Sequence, residues 1–266
     1  MSTFLSLAAA LLYLSASYQV ARALWQGLAL KTAQVIAVGS LAAVFHGLVL
    51  APQLHSPQGL DLSLFRVLSL LAWLVAVLTL LLSMARPVIS LGALAFPLAA
   101  LSALASQFFV IDYHPIAHLS RVDEAHILLS ILAYGLFFLA AAMAAILHYQ
   151  NHRLKQRRPL PMGRVIPPLQ TLELLLFDVL LAAWGLLTLA MVIGLSVATN
   201  LHAQHLLHKT VFSIAAWLLF GTLLAGRHRG GWRGPRAVQL TLIGFALLIV
   251  GFFGSKAVLE LVLHVN

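Results

Sequence analysis

A histidine-rich stretch at residues 200 to 209, "NLHAQHLLHK", carries three imidazoles within seven positions. Imidazole can ligate a metal or haem iron near neutral pH, so His202, His205 and His208 are candidate ligands. In a helix, six residues turn the chain by about 240°, so the three rings would not share one tight face. His208 is nearest to the apolar run that follows and is interpreted as pointing inward. His202 and His205 are interpreted as solvated.

Two further histidines occupy positions that suit a ligand. His126 stands in "DEAHILLSILAYG", and the carboxylates of Asp123 and Glu124 in the preceding turn could orient its ring. A plain interface histidine is the alternative. His46 lies inside the apolar run "LAAVFHGLVL", where a polar side chain normally faces other helices or a cavity. It is expected to form an interhelical hydrogen bond or to contribute to a haem pocket.

The remaining histidine pairs are weaker candidates. His114 and His118 lie in "DYHPIAHLSRVDE", which is expected to form a turn and a short interfacial helix. His148 and His152 are four apart, a spacing that suits a metal. Because many arginines follow them, these two rings are interpreted as polar tips reaching for the membrane surface.

The composition identifies the elements that must position these side chains. The chain has 266 residues, of which 62% are hydrophobic and 9% charged, far more apolar than a soluble core requires. It is therefore predicted to be an integral membrane protein. The chain has no cysteine, which excludes disulfides, thiolate-bound zinc and Cys-ligated clusters. The net charge of +9 lies in short basic blocks between apolar runs, so nucleic-acid binding is not predicted.

The predicted fold is all-α, a single domain of eight transmembrane helices. A bilayer core about 30 Å thick needs about 20 apolar residues per helix. The segments that meet this length are 3–21, 33–51, 64–84, 88–110, 124–148, 174–199, 210–226 and 237–262. The first is interpreted as a true span because no basic stretch precedes it. An even number of spans places both termini on one side.

The distribution of Lys and Arg predicts the orientation. The odd-numbered loops hold 12 of the 16 basic residues. By the positive-inside rule these loops are cytoplasmic and both termini are extracytoplasmic. The basic linker "RLKQRRPLPMGRVIPPLQ" at 153–170 is interpreted as an orientation anchor, with a docking surface for a cytoplasmic partner as the alternative. Nine of the 12 histidines then fall on the outer side: His46, His55, His114, His118, His126, His202, His205, His208 and His264.

Three stretches resemble the cytochrome c assembly family, the CcsA and CcmC type of haem-handling membrane proteins. They are "HILLSILAYGLFFLAAAMAAILHYQ", "PPLQTLELLLFDVLLAAWGLLTLAMVIG" and "HKTVFSIAAWLLFGTLLAGRHRGGWRGPRA", and "GFFGSKAVLELV" near the end is similar to the branch called YpjD or HemX-like. The positions that match the family pattern are His126, Ser130, Tyr134, Lys209, Trp217, Gly231, Trp232 and Gly234. The resemblance covers about 120 to 260 well and the first four helices by topology alone.

The chain departs from the family at one segment. Members that present haem for attachment carry a tryptophan-rich external segment, and this chain has "LLHKTVF" in its place. His264 is close to a second external histidine of the family but out of register. The resemblance therefore implies haem handling or transfer in the bacterial inner membrane rather than catalysis of haem attachment.

The site that the resemblance implies holds haem b near the outer face. His126 and His208 would be its two axial ligands, and bis-imidazole ligation leaves no open position on the iron. His46, Tyr134, Lys209 and Trp217 are further candidate cofactor-binding residues. The implied partners are the lipid bilayer and cytochrome c maturation components.

Two other functions stay open at this point. A HemX-like regulator would act on a tetrapyrrole-synthesis enzyme through the basic cytoplasmic loops. A metal-ion or solute transporter would use His46, Glu173 and Asp178 along a path. The last is the less favoured, because intramembrane acids are few and Glu173 and Asp178 are expected to pair with loop arginines.

Overall fold

The structure, a computed structural model, describes residues 2–56, 59–109, 119–156, 165–197, 204–258 and 260. Of 56, 197 and 204–208 it describes the backbone alone. The described chain is almost entirely helical, as predicted. Its long helices are α1 (Ser2–Gln26), α2 (Thr32–Leu54), α3 (Leu64–Ala85), α4 (Gly92–Phe108), α5 (Arg121–Lys155), α6 (Leu169–Val197), α7 (Gln204–Gly230) and α8 (Pro235–Ile249).

The prediction of eight spans is confirmed, because eight helical segments are long and apolar enough to cross a membrane. Their ends differ from the predicted ones. The fifth helix was expected at 124–148 and extends over Arg121–Lys155. Hydropathy detects only the apolar centre of a helix, whereas its backbone hydrogen bonds continue into the polar interface. Asp123 at the start of α5 and Arg227 in the last turn of α7 also favour these extensions by complementing the helix dipole.

The chain divides into two compact units, the first built on α1–α4 and the second on α5–α8. In the first unit, α1 packs against α2 and α4, and α3 packs against α4. Alanines fill much of this core and let the helix backbones approach closely. Tyr13 and Phe96 stack at its centre with ring centroids 5.9 Å apart. The prediction that all eight helices form one domain stays a prediction.

A short antiparallel hairpin joins α2 to α3. Strand β1 (His55–Ser56) pairs with β2 (Gly59–Leu60), with His55 opposite Leu60. Beyond it, the buried carboxylate of Asp61 forms an ion pair with Arg66 and accepts a hydrogen bond from the Ser63 amide. The pair ties the connection to the first turn of α3.

In the second unit, α7 packs against both α6 and α8. Phe137 of α5 stacks on Phe220 of α7 with centroids 4.2 Å apart, and Gly244 of α8 leaves room for the Phe220 ring.

A 3-10 turn (Ile89–Leu91) precedes α4 in the first unit. A π-helical turn (Val250–Gly254) and a short helix α9 (Ser255–Ala257) continue the eighth span in the second.

Candidate functional site in the second unit

His126 lies in the first turns of α5 and is held by α6. Its Nδ1 is 2.8 Å from the carbonyl oxygen of Ala190. Because a carbonyl only accepts, Nδ1 of the neutral ring carries the proton and Nε2 is the nitrogen with the lone pair. The ring is half-buried. Metal-ligating histidines commonly donate their other ring N–H to a backbone carbonyl in this way.

The expectation that acids orient the His126 ring is corrected by the geometry around Asp123. The Asp123 carboxylate accepts hydrogen bonds from the amide and the hydroxyl of Ser120, at 3.1 and 2.7 Å. The Ser120 hydroxyl in turn lies 3.2 Å from the Asp123 amide. This is a capping box with Asp in place of Glu, so Asp123 caps α5, and a backbone carbonyl of α6 orients the imidazole.

Gly194 provides the space that the His126 ring occupies. A Cβ added at Gly194 would lie 2.7 Å from Cε1 and 3.0 Å from Nδ1 of His126. Gly194 is four residues beyond Ala190, so the two positions stand one turn apart on the same face of α6. One turn of α6 thus supplies both the hydrogen bond and the gap for the ring.

Tyr134 lies two turns further along α5, on the same face as His126 and Ser130. It is buried, and its hydroxyl is hydrogen-bonded to the side chain of Ser213 on α7. Its ring contacts Phe252 and Phe253, with centroid distances of 5.7 and 6.4 Å. Two other elements of the second unit, α7 and the π-helical turn, therefore contact the predicted position Tyr134.

The two phenylalanines belong to the π-helical turn. The Ser255 hydroxyl supports this turn by donating to the carbonyl oxygens of Gly251 and Phe252, at 2.8 and 3.0 Å. A side chain at Gly251 would clash with Phe212, because an added Cβ would lie 2.5 Å from the Phe212 Cβ. π-helical turns often occur at functional sites, where they reorient side chains. Here the turn presents two adjacent aromatic rings to Tyr134.

Trp217 connects α7 to α6 through a network that the sequence did not reveal. Its indole stacks on Trp184 with centroids 5.5 Å apart, and its Nε1 donates to the Thr188 hydroxyl at 2.8 Å. The Trp184 Nε1 donates back to the Trp217 carbonyl at 3.0 Å. Trp184 and Thr188 are four residues apart in α6, so the sequence indicates that they share a helix face. Neither residue type indicates that Trp217 is their common partner.

We expect Thr188→Val to destabilise the second unit by about 1–3 kcal/mol, because the Trp217 indole N–H loses its acceptor in an apolar environment. Thr222→Val is the matched control: its hydroxyl bonds to the Leu218 carbonyl of its own helix and the side chain is exposed. Unfolding of both variants in mixed micelles measures the free energies. An equal loss for the two variants would contradict the assigned network.

Lys209, near the start of α7, takes part in a charged cluster. Its Nζ lies 5.6 Å from the centroid of the Phe252 ring, and its charge interacts with those of Lys256 and Glu260. Lys256 and Glu260 form an ion pair with 2.5 Å between Nζ and Oε1. Sequence reasoning singled out Lys209 alone. It did not consider Lys256 and Glu260, a base and an acid that are four residues apart at the end of an otherwise apolar span.

His46 belongs to the first unit and is described there by itself. It is 1% exposed, and its Nε2 is 2.8 Å from the Ser69 hydroxyl on α3. Its ring meets Tyr13 edge to face at 5.9 Å. The expected interhelical hydrogen bond is therefore confirmed. Among the described residues, its buried Nδ1 has no hydrogen-bond partner.

At the predicted inner end of the second unit, Glu173 pairs with Arg227 as expected, with 3.5 Å between the charged atoms. The Arg227 guanidinium also lies over the Phe177 ring at 4.6 Å. Asp178 is exposed on α6. His148 and His152 are exposed and stack at 6.4 Å, in keeping with surface positions.

Several predicted residues lie outside the described part of the chain. The backbone of His208 is in the first turns of α7, but its side chain is not described, and the same holds for His205. The others outside the described residues are His114, His118, His202 and His264.

The family described as "Cytochrome C assembly protein" matches residues 35–263. The inner membrane protein YpjD of Escherichia coli K12 is 31% identical over 227 residues, which is 84% of this chain and 85% of that protein.

Two further relatives match about half of the chain. An uncharacterised 28.8 kDa protein of Azospirillum brasilense is 32% identical over 145 residues, 53% of this chain and 52% of the relative. Protein HemX of Brevibacillus brevis is 26% identical over 137 residues, 51% of this chain and 50% of the relative. No solved structure gives a significant match.

Proposed function

The chain belongs to the cytochrome c assembly protein family, and on that premise we propose that it binds haem and assists cytochrome c maturation or haem trafficking. It is a multi-pass protein of the inner membrane, with eight spans and a relative named for that location. The proposal concerns the second unit, where the described candidate residues His126, Tyr134, Lys209 and Trp217 lie.

The observation that carries the proposal is the hydrogen bond from His126 Nδ1 to Ala190. It leaves Nε2 as the basic nitrogen and orients the ring, which is what an axial ligand requires. The carbonyl and the gap at Gly194 come from one turn of a neighbouring helix, so the ring is preorganised.

The residues present fit a haem. His126 and His208 are the residues that would hold the haem iron. Tyr134 with the phenylalanines of the π-helical turn would offer an aromatic wall, and Lys209 would supply positive charge. Haem b held by these residues would supply one-electron chemistry, which suits transfer, sensing or electron passage. His46, in the first unit, is a further candidate ligand. Among the described residues, its buried Nδ1 has no hydrogen-bond partner.

A titration with haemin tests the proposal. The detergent-purified protein is expected to take up haemin saturably, at about one per chain, with a sharp Soret band typical of two imidazole ligands. The double variant His126→Ala, His208→Ala should lose this band. The matched control is His148→Ala, His152→Ala, two exposed histidines at the other end of α5. Uptake that is equal in both double variants would overturn the proposed ligands.

A regulatory function through the basic cytoplasmic loops is the second candidate, supported by the resemblance to a protein named HemX. Residues 157–164 of the charged linker lie outside the described residues. Loss of a tetrapyrrole-synthesis enzyme from a pull-down when the basic residues of 153–168 are neutralised would favour this function.

A further inference from the structure

The connection between α7 and α8 is folded back onto the end of α7 by Trp232. The Trp232 amide donates to the carbonyl oxygen of Gly226 at 3.2 Å. The indole covers Gly226 and Gly230, where an added Cβ would lie 2.4 and 3.0 Å from ring atoms. Gly231 and Gly234 have φ angles of 60° and 58°, in the left-handed region that favours glycine. The glycines of this connection therefore specify one conformation.

Glu173 of α6 ties both sides of the connection to the second unit. Its carboxylate accepts a hydrogen bond from the Arg227 guanidinium at 3.5 Å and another from the Gly234 amide at 3.4 Å. The Glu173 side chain is largely buried. Because this carboxylate is already paired with Arg227, it does not neutralise the other arginines of the connection.

Three further arginines of the connection are exposed: Arg229, Arg233 and Arg236. Among the described residues, none of the three forms an ion pair. Arg236 lies over the Trp232 ring, with 5.9 Å between Cζ and the ring centroid, so its position depends on the folded-back tryptophan. All three come from eight consecutive residues, 229–236. The connection therefore concentrates positive charge that no described acid balances.

The location of these arginines restricts what they bind. The connection joins two helices that are long and apolar enough to cross a membrane, so it lies at the level of the lipid headgroups. A guanidinium group binds phosphate oxygens through two parallel hydrogen bonds, and anionic lipids attract basic residues next to a span. Tryptophan also favours this interface. Charge, donor type and depth therefore all match a lipid phosphate.

We propose that the connection between α7 and α8 binds the phosphate of an anionic lipid through the guanidinium groups of Arg229, Arg233 and Arg236. Trp232 and Glu173 are positioning residues, because they hold the connection in the conformation that presents these groups. Such a site differs from the general attraction of basic loops to a membrane, since it depends on the folding of the connection as well as on its charge. It does not depend on the proposed haem function.

Native mass spectrometry measures the preference of the full-length protein for phosphatidylglycerol over phosphatidylethanolamine, with equal amounts of both lipids in detergent. The wild type is expected to retain phosphatidylglycerol preferentially. The double variant Arg229→Gln, Arg233→Gln should lose about fivefold in this preference for each arginine, the effect of one basic residue at an anionic surface. The matched control Arg22→Gln, Arg86→Gln removes the same charge from exposed arginines of the first unit and should keep the preference.

Gly226→Ala tests the conformation at unchanged charge. The new methyl group would lie 2.4 Å from the Trp232 ring, so the ring must leave the end of α7 and Arg236 loses its support. This variant is expected to lose most of the preference. Gly185→Ala, which has no atom within 4 Å of the added Cβ, should keep it.

Three results would overturn the site. The first is a wild type without a preference for phosphatidylglycerol, and the second is an equal loss in the two double arginine variants. The third is a preference that survives Gly226→Ala, which would show that charge alone attracts the lipid. Displacement of the retained lipid by millimolar inorganic phosphate would overturn the assignment to a lipid and identify free phosphate as the occupant.

Discussion

Replacing His126 with alanine is expected to convert the haem-loaded protein from a six-coordinate low-spin form to a five-coordinate high-spin form. The ring that Ala190 orients would be gone, and only one imidazole would remain on the iron. Loss of a partner that merely supports a ligand costs about 10–100-fold in metal affinity, so loss of the ligand itself should cost more. Absorption and paramagnetic resonance spectra of the ferric protein measure the change.

Free imidazole provides the control for this substitution. Because the His126 ring is half-buried rather than enclosed, added imidazole should enter the space it leaves and restore the low-spin spectrum of His126→Ala. A purely structural histidine would give a variant of lower stability without such rescue. A low-spin spectrum in His126→Ala before imidazole is added would contradict the assignment of this ligand.

Gly194→Ala is expected to weaken haem binding by about 10–100-fold without removing any proposed ligand, the cost of disturbing a group that orients a metal ligand. The new methyl group would lie 2.7 Å from Cε1 of His126, so the ring must move and its bond to Ala190 must weaken. Haemin titration gives the affinity, and the unfolding free energy checks the fold.

Gly185→Ala is the matched control for that prediction, because it places the same methyl group on the same helix with no atom within 4 Å. It should bind haemin as the wild type does. An affinity in Gly194→Ala equal to that in Gly185→Ala would show that the position of the His126 ring does not matter for haem.

The architecture was predictable because it depends on hydropathy summed over about 20 residues, a signal that no single side chain can disguise. The same averaging cannot detect the π-helical turn at Val250–Gly254. Its sequence is as apolar as an ordinary span, so a change in backbone hydrogen bonding leaves no trace in hydropathy. The hairpin between α2 and α3 was missed because its strands are two residues each.

The candidate site was predictable only in part. His126 and Tyr134 stood out by residue type and by family pattern. The Ala190 carbonyl did not, because every residue carries one and only the packing of α5 on α6 selects it. Trp184 and Glu260 were missed for related reasons. The partner of Trp184, Trp217, is distant in the sequence, and only the fold brings the two together. The ion pair of Glu260 with Lys256 lies in a span that is otherwise apolar.

The optical spectrum of the detergent-purified protein, recorded oxidised and then reduced with dithionite, tests the central claim most directly. We predict a Soret band that sharpens and shifts on reduction, with resolved α and β bands of a bis-imidazole haem b. A preparation with intact helices that shows no Soret band, as purified and after addition of haemin, would contradict the account.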